Sequence, residues 1–328
     1  MRPSYYADDS VTLHHGQAVE VLSKLKASSV DCCVTSPPYF GLRDYGVDGQ
    51  IGAEESPAEF ITNLVAVFRE ARRVLADDGT CWVNLGDSFA SSASWGRGGS
   101  SQLEGRKHDA AQMSRPSPER SFGVPPKNLL GMPWRVAFAM QDDGWILRNA
   151  IVWHKPNAMP ESVTDRLSTR YEMVFMFTKF RRYGFDLDPI RQGHTMKPQR
   201  RPAGRPVDAI PGGIGQPRQS WSTAAREDLG VDGHPLGKNP GDVWEIATTP
   251  FPGAHFAVFP PELPRRCILA GCKPGGTVLD PFSGSGTTGM VALQNGRKYI
   301  GIDLNREYLD LSLRTRLSNG VLDFAGEA

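Results

Sequence analysis

The feature that most constrains the fold is a helix pattern between two short buried strands. Residues 30–35 and 80–85 are apolar, β-branched runs that end in turn-forming residues, as buried parallel strands do. Between them, the Ser-Pro-Ala-Glu sequence at 56–59 combines a capping box with proline at the first helical position, and apolar residues recur at helical spacing until the Asp-Gly at 78–79. This order predicts two neighbouring parallel strands, because strand–helix–strand crossovers are right-handed.

The rest of the chain repeats this alternation, with two irregular interruptions. Residues 88–126 are rich in Ser, Gly, Arg and Pro without apolar periodicity, which predicts a mobile surface loop, and residues 181–242 hold many prolines and glycines. An α/β architecture with two irregular insertions follows. The patterns predict further strands at 145–153, 171–178, 277–279 and 298–302, and helices at 133–140, 261–271, 287–294 and from Arg306 onward.

Charge is balanced overall but not locally. The chain has 37 Lys and Arg against 36 Asp and Glu, so its net charge of +1 does not indicate a polyanionic partner. The basic segment 191–218, however, has a net charge of +5, which suits contact with a polyanion. A solvated loop is the alternative reading. Its single acid is Asp208, and its basic residues are Arg191, Lys197, Arg200, Arg201, Arg205 and Arg218.

Cysteine content and hydropathy indicate the compartment. The five cysteines, two of them adjacent at Cys32 and Cys33, match neither a zinc quartet nor a disulfide framework, so we expect no metal and a reducing environment. The N-terminus lacks the apolar core of a secretory signal, and no run of eighteen apolar residues occurs. We therefore expect a cytoplasmic protein that does not span a membrane.

The run VLDPFSGSGTTG at 278–289 predicts a strand, a tight turn and a helix. Asp280 stands at the carboxyl end of the strand, and Gly284 and Gly286 let the backbone turn sharply and approach a ligand closely. Thr287 and Thr288 open the helix, where free N–H groups and the helix dipole favour a carboxylate or a phosphate.

An acid further along the chain suits a nucleoside ligand. Asp303 ends the next predicted strand, where its carboxylate can accept both hydroxyls of a ribose. The turn lacks the lysine of a phosphate-transfer loop, and Phe282 suits packing against a thioether or a purine. A plain strand-to-helix connection is the alternative reading of this motif.

A second motif, Ser36-Pro37-Pro38-Tyr39, follows the strand at 30–35. Its prolines have no N–H and hold their carbonyls rigidly outward. The Ser36 hydroxyl and the Pro37 carbonyl can therefore accept hydrogen bonds from an exocyclic amine, while Tyr39 offers a flat face to a base removed from its stack. A proline-rich turn without such a role is the alternative.

The two motifs, in this order, resemble those of the β-class amino-group DNA methyltransferases, which use S-adenosylmethionine. In that class the Ser/Asp/Asn-Pro-Pro-Tyr/Phe motif comes first, the target-recognition region lies in the middle and the cofactor motif FxGxG comes last. Supporting matches are Trp-His-Lys-Pro at 153–156, Arg-Tyr-Glu at 170–172 and His-Phe-Ala at 255–257. The resemblance implies a circularly permuted, Rossmann-like methyltransferase sheet, mostly parallel with an antiparallel hairpin edge.

The resemblance also implies roles for individual residues. Asp280 and the turn 282–286 would hold the methionine part of the cofactor, Thr287 and Thr288 would lie near its carboxylate, and Asp303 would bind its ribose. Ser36 to Tyr39 would hold the flipped base, and the basic segment would contact DNA. Family members often have Gly-Asp where this chain has Gly16-Gln17. The implied divisions are two catalytic parts at 1–87 and 127–180, a flexible insertion at 88–126, target recognition at 181–242 and cofactor binding at 243–328.

The activity implied is methyl transfer to duplex DNA, by a monomer or a homodimer. Because serine opens the catalytic motif, the favoured product is N4-methylcytosine, with N6-methyladenine as the alternative. A DNA-binding regulator without catalysis and an RNA or small-molecule methyltransferase are further alternatives. The insertion at 88–126 would close over DNA or contact a second subunit, His154 would touch a phosphate or end a strand, and Cys32 and Cys33 are expected to be structural thiols.

Overall fold

The computed structural model describes residues 4–42, 47, 49–90, 123–194, 234–249 and 259–317. Within these ranges, strands and helices alternate along most of the chain. Their bounds are β1 Tyr6–Ala7, β2 Val11–His15, α1 Ala18–Leu22, β3 Val30–Thr35, α2 Pro57–Val74, β4 Leu75–Leu85, α3 Met132–Asp142, β5 Ile146–His154, β6 Tyr171–Thr178, β7 Val243–Glu245, α4 Glu262–Gly271, β8 Thr277–Asp280, α5 Thr287–Gln294, β9 Lys298–Asp303 and α6 Arg306–Ser312.

The nine strands seen in the described residues form one sheet in the order β1-β2-β9-β8-β3-β4-β6-β5-β7. The five strands from β2 to β4 in this order are parallel to one another, whereas β6 is antiparallel to both β4 and β5. The mostly parallel sheet with an antiparallel hairpin is therefore confirmed. Beyond the hairpin, the short strand β7 pairs in parallel with β5.

The helix α2 begins as the sequence predicts but ends earlier. Ser56 Oγ accepts a 3.2 Å hydrogen bond from the Glu59 N–H, and Pro57 occupies the first turn. The chain leaves the helix after Val74, because Leu75 is fully buried and pairs with Val30 as the start of β4. The Asp-Gly at 78–79 thus lies inside a strand and does not end the helix.

Four of these elements escaped the sequence patterns. The helix α1 and the strands β1, β2 and β7 are two to five residues long, too short for a reliable period. Of these, β2 pairs in parallel with β9, so the beginning of the chain joins the same half of the sheet as the glycine turn.

The core lies between the sheet and its helices. Phe60, Leu64 and Phe68 of α2 belong to one buried cluster with Phe175 and Phe177 of β6. The parallel strands β3 and β8 are central neighbours that pair through Cys32 with Val278 and Cys33 with Leu279. Their carboxyl ends therefore meet at one edge of the sheet, which is where open α/β sheets bind ligands.

A second compact unit spans Leu187–Gly241. Its described part contains the short 3₁₀ turn Asp188–Ile190 and a bridge between Gln192 and Lys238. Arg191 donates from Nε to Asp188 Oδ1 at 2.7 Å, and its side chain is 15% exposed. The other basic residues of the segment, Lys197, Arg200, Arg201, Arg205 and Arg218, lie outside the described residues, as does most of the insertion at 88–126.

The described helices include none with both the length and the apolarity needed to cross a membrane. The same residues contain no group of three or more His, Cys, Asp or Glu side chains placed to hold a metal ion.

Candidate active site

The two motifs predicted from sequence line one cavity of about 1620 Å³. It lies at the carboxyl ends of β3 and β8, in the body of the protein that holds the sheet. Of the predicted catalytic and cofactor-binding residues, all but Gly286 line this cavity. They are Ser36, Pro37, Pro38, Tyr39, Asp280, Phe282, Gly284, Thr287, Thr288 and Asp303.

The tyrosine of the Ser-Pro-Pro-Tyr motif is held tightly against the end of β4. A Cβ atom on Gly86 would lie 2.6 Å from Tyr39 Cε2, so the ring uses space that only glycine leaves open. The Tyr39 hydroxyl lies 2.6 Å from Glu172 Oε2 and 3.2 Å from Asn84 Oδ1. Ser36 Oγ is 3.3 Å from the same hydroxyl.

Three polar residues that sequence reasoning assigned no role complete this side of the cavity. Lys155 forms an ion pair with Glu172 Oε1, and Asn84 Nδ2 donates to Glu172 Oε2 at 3.0 Å. Asn84, Lys155 and Glu172 all line the cavity. The sequence signal for two of them was the match at 153–156 and 170–172, which carried no contact information.

Asp280 is an almost fully enclosed acid on the other side. Burial raises its pKa to about 6, although the Thr35 hydroxyl and the Phe282 N–H both donate to Oδ1, at 2.6 and 3.0 Å. These hydrogen bonds join Asp280 to the last residue of β3 and to the glycine turn that follows β8. The Asp280 side chain therefore helps to hold that turn in place.

The glycine turn has the geometry that the sequence predicts. Gly284 has φ +50° and Gly286 has φ +79°, in the left-handed region that favours glycine. A Cβ atom on Gly286 would lie 2.8 Å from Ser312 Cβ. The turn leads into α5, whose first two residues, Thr287 and Thr288, line the cavity, and the first N–H groups of a helix have no partner within it.

Asp303 stands at the end of β9, opposite the turn. Its carboxylate accepts hydrogen bonds from the N–H groups of Gly284, at 2.7 Å, and Asn305, at 2.8 Å. Burial nevertheless raises the pKa of Asp303 to about 6. An acid with such a pKa near neutral pH marks a candidate ligand site.

The two threonines of α5 differ in their partners. Thr288 Oγ1 donates to the Val34 carbonyl at 3.3 Å and so ties α5 to β3. Thr287 Oγ1 accepts a hydrogen bond from Arg316, which also donates to Ser285 Oγ at 3.0 Å. Burial lowers the pKa of Arg316. The sequence patterns had not singled out this arginine.

All five cysteines are buried in the described residues, and none forms a disulfide. Cys32 and Cys33 lie within β3, short of the cavity. Burial raises the pKa of Cys32, and a hydrogen bond with Cys81 together with burial raises that of Cys33. Such thiols are poor nucleophiles, which agrees with the structural role expected of them.

Comparison with known sequences yields a family and close relatives. The N6/N4 methyltransferase family model, described as DNA methylase, matches residues 30–314. The chain is 45% identical over 305 residues to the type II methyltransferase M.Cfr9I of Citrobacter freundii, covering 93% of this chain and 87% of that protein. It is 44% identical over 297 residues to the type II methyltransferase M.SmaI of Serratia marcescens, covering 90% and 87%.

Solved structures share the fold at lower identity. The cytosine-N4-specific PvuII DNA methyltransferase superposes with a TM-score of 0.62 and 19% identity, over 99% of this chain and 90% of that one. The S-adenosyl-L-methionine complex of a Thermus thermophilus protein, described as a DNA modification methylase, gives a TM-score of 0.53 at 23% identity, over 95% and 96%. The sheet is therefore the Rossmann-like one of these proteins.

Proposed function

This chain belongs to the N6/N4 DNA methylase family, and we propose that it transfers the methyl group of S-adenosylmethionine to N4 of a cytosine extruded from duplex DNA. The observation that supports this most is the single cavity that both motifs line, at the carboxyl ends of β3 and β8. A donor and a base held there would face each other across the sheet edge, so that alignment supplies much of the rate.

The residues at the end of β8 and β9 fit the cofactor. Asp303 would accept the ribose hydroxyls, and the N–H groups at the start of α5 would bind the methionine carboxylate beside Thr287. Asp280, Phe282 and the turn through Gly284 would enclose the methionine chain. Bound S-adenosylmethionine supplies an electrophilic methyl group on a positively charged sulfur.

The Ser-Pro-Pro-Tyr motif would act on the base. The lone pair of an aromatic amine is delocalised into the ring, which makes the nitrogen a poor nucleophile. Ser36 Oγ and the Pro37 carbonyl would accept hydrogen bonds from its two N–H groups and so localise the lone pair toward the methyl carbon. Tyr39 would stack on the flipped base. The serine at position 36 favours cytosine over adenine as the target, as the family resemblance implies.

The basic segment would contact the DNA. Lys197, Arg200, Arg201, Arg205 and Arg218 would bind phosphates and base edges, which fits the +5 charge of this region. Arg191 donates from Nη1 to the Gly237 carbonyl at 3.2 Å and from Nε to Asp188, so its role would be to shape the segment.

Mass spectrometry of digested DNA tests this proposal. Plasmid DNA incubated with the protein and S-adenosylmethionine should gain N4-methylcytosine, and methylation-aware sequencing should place it at one recurring sequence. Ser36→Ala should lower the rate roughly a hundredfold or more, because an oriented hydrogen-bond acceptor is lost. N6-methyladenine as the only product would refute the cytosine assignment. No methylated base at all, with folded protein, would refute the transfer itself.

A further inference from the structure

A partly buried carboxylate lies beside the Ser-Pro-Pro-Tyr motif. Glu172 Oε2 is 2.6 Å from the Tyr39 hydroxyl, and that hydroxyl is 3.3 Å from Ser36 Oγ. We infer that Glu172 is a positioning residue that fixes the direction of a hydrogen-bond chain through Tyr39 to Ser36, which makes the Ser36 oxygen an acceptor toward the target base. This inference rests on the proposed function of Ser36.

The direction of the chain follows from proton counts. A phenol has one proton, and a carboxylate can only accept. The Glu172 and Asn84 oxygens both lie near the Tyr39 hydroxyl, and the charged Glu172 oxygen at 2.6 Å outcompetes the neutral Asn84 oxygen at 3.2 Å, because hydrogen bonds to charged groups are shorter and stronger. The Tyr39 oxygen is then left as an acceptor.

Ser36 is the next member of the chain. Its hydroxyl also has a single proton, and donation to the Tyr39 oxygen uses that proton. The lone pairs of the Ser36 oxygen can then accept hydrogen bonds from a ligand in the cavity, which Ser36 lines. A base that presents an amine satisfies this acceptor, whereas a base that presents a carbonyl places two acceptors against each other.

The carboxylate itself is held in place. Lys155 forms an ion pair with Oε1, Asn84 donates to Oε2, and the Lys155 and Glu172 side chains are only 20% and 15% exposed. Lys155 Nζ also lies 4.5 Å from the centroid of the Trp153 ring. The ammonium group occupies one carboxylate oxygen, so the other oxygen faces Tyr39.

This arrangement makes Glu172→Gln an informative substitution. The Lys155 ammonium would keep the amide oxygen, so the amide NH₂ would turn toward Tyr39 and donate to its oxygen. The Tyr39 proton would then be released toward Ser36 or Asn84, and the chain would lose or reverse its direction. Side-chain volume hardly changes. Glu161→Gln is the matched control, since Glu161 forms an ion pair with Arg166 in the connection that precedes β6 but does not line the cavity.

A double-mutant cycle tests the inference. Steady-state methyl transfer is measured for wild type, Glu172→Gln, Tyr39→Phe, the double variant and Glu161→Gln, on a duplex carrying the methylated sequence found by sequencing. Glu172→Gln should lower kcat roughly tenfold or more in the wild-type background but less than about twofold in the Tyr39→Phe background. Equal factors in both backgrounds, or an equal loss with Glu161→Gln, would overturn it. Absence of transfer by wild type would instead refute the proposed function.

A binding measurement gives an answer even where Tyr39→Phe abolishes turnover. Each variant is titrated, with an unreactive cofactor analogue, against two duplexes that carry the target cytosine or a uracil in its place; hypoxanthine replaces adenine if adenine is the target. The cost of flipping each base is common to all variants, so only the change in the affinity ratio reports Ser36. Glu172→Gln and Tyr39→Phe should both shift this ratio toward the carbonyl base, and Glu161→Gln should not. An unchanged ratio in Glu172→Gln would overturn the inference.

Discussion

The hydroxyl of Thr35 donates a 2.6 Å hydrogen bond to Oδ1 of Asp280, across 245 positions of sequence. Both side chains are almost completely buried, at 1% and 2% exposure. Thr35 is the last residue of β3 before the Ser-Pro-Pro-Tyr motif, and Asp280 is the last residue of β8 before the glycine turn. This one bond therefore couples the side of the cavity formed by the Ser-Pro-Pro-Tyr motif to the side formed by the glycine turn.

Thr35→Val should weaken both stability and cofactor binding. Loss of the donor leaves a buried acid less well paired, which raises the pKa of Asp280 further above about 6 and lowers the free energy of unfolding by about 1–3 kcal/mol. An acid with a raised pKa in the folded state loses stability as pH rises through that value, so the deficit should be larger at pH 8 than at pH 5. Chemical denaturation at both pH values and calorimetric titration with S-adenosylmethionine measure this.

Thr178→Val is the control for this prediction. Thr178 is equally buried in β6, and its hydroxyl donates to the neutral Phe180 carbonyl at 3.0 Å. It should lose comparable stability with little dependence on pH and with cofactor affinity intact. The same pH dependence in both variants would contradict the role assigned to Asp280.

Cofactor affinity should fall as pH drops below about 6. Asp303 has a pKa of about 6, and in the proposed function its ionised form would accept both ribose hydroxyls. Binding should favour ionisation and release protons near pH 6, which calorimetry in buffers of different ionisation enthalpy detects. Asp303→Asn should weaken cofactor binding and reduce its pH dependence. Part of the pH dependence should persist, because Asp280 also has a pKa of about 6. Equal wild-type affinity at pH 5 and pH 8 would contradict this account.

Gly286→Ala should lower the free energy of unfolding by more than the strain of a left-handed backbone alone would. At φ +79° an L-residue is strained by about 1–2 kcal/mol, and the new Cβ would also lie 2.8 Å from Ser312 Cβ. Gly296→Ala provides the comparison, because Gly296 has φ +68° and nothing lies within 4 Å of its added Cβ. Denaturation and cofactor titration should show a larger stability loss and a weaker affinity for Gly286→Ala only.

Cys33→Ala should retain methyl transfer. The thiol is buried in β3 and its pKa is raised, so it is not available as a nucleophile, and the substitution should cost only about 1–2 kcal/mol of stability. Iodoacetamide should likewise leave the activity of the folded protein unchanged. A folded Cys33→Ala variant that no longer transfers methyl groups would show that a thiolate takes part in the reaction.

Local patterns predicted the long elements and missed four of the short ones, α1, β1, β2 and β7. The helix α2 was readable because its cap and seven buried positions all lie within the continuous stretch 56–74. Its end was not, since the burial of Leu75 depends on pairing with Val30, which a local pattern does not contain. The strands β1, β2 and β7 escaped for a related reason: they owe their conformation to a neighbouring strand and carry too few residues for a period.

The residue types of the two motifs, their order along the chain and the glycines of the turn could be read from sequence alone, because backbone freedom and hydrogen-bonding capacity belong to each residue by itself. Tertiary structure decided the rest. It alone placed Glu172 and Lys155 behind Tyr39, and Arg316 against Thr287. It also raised the pKa of Asp280 and Asp303, since burial and pairing arise only when distant segments enclose the same atoms.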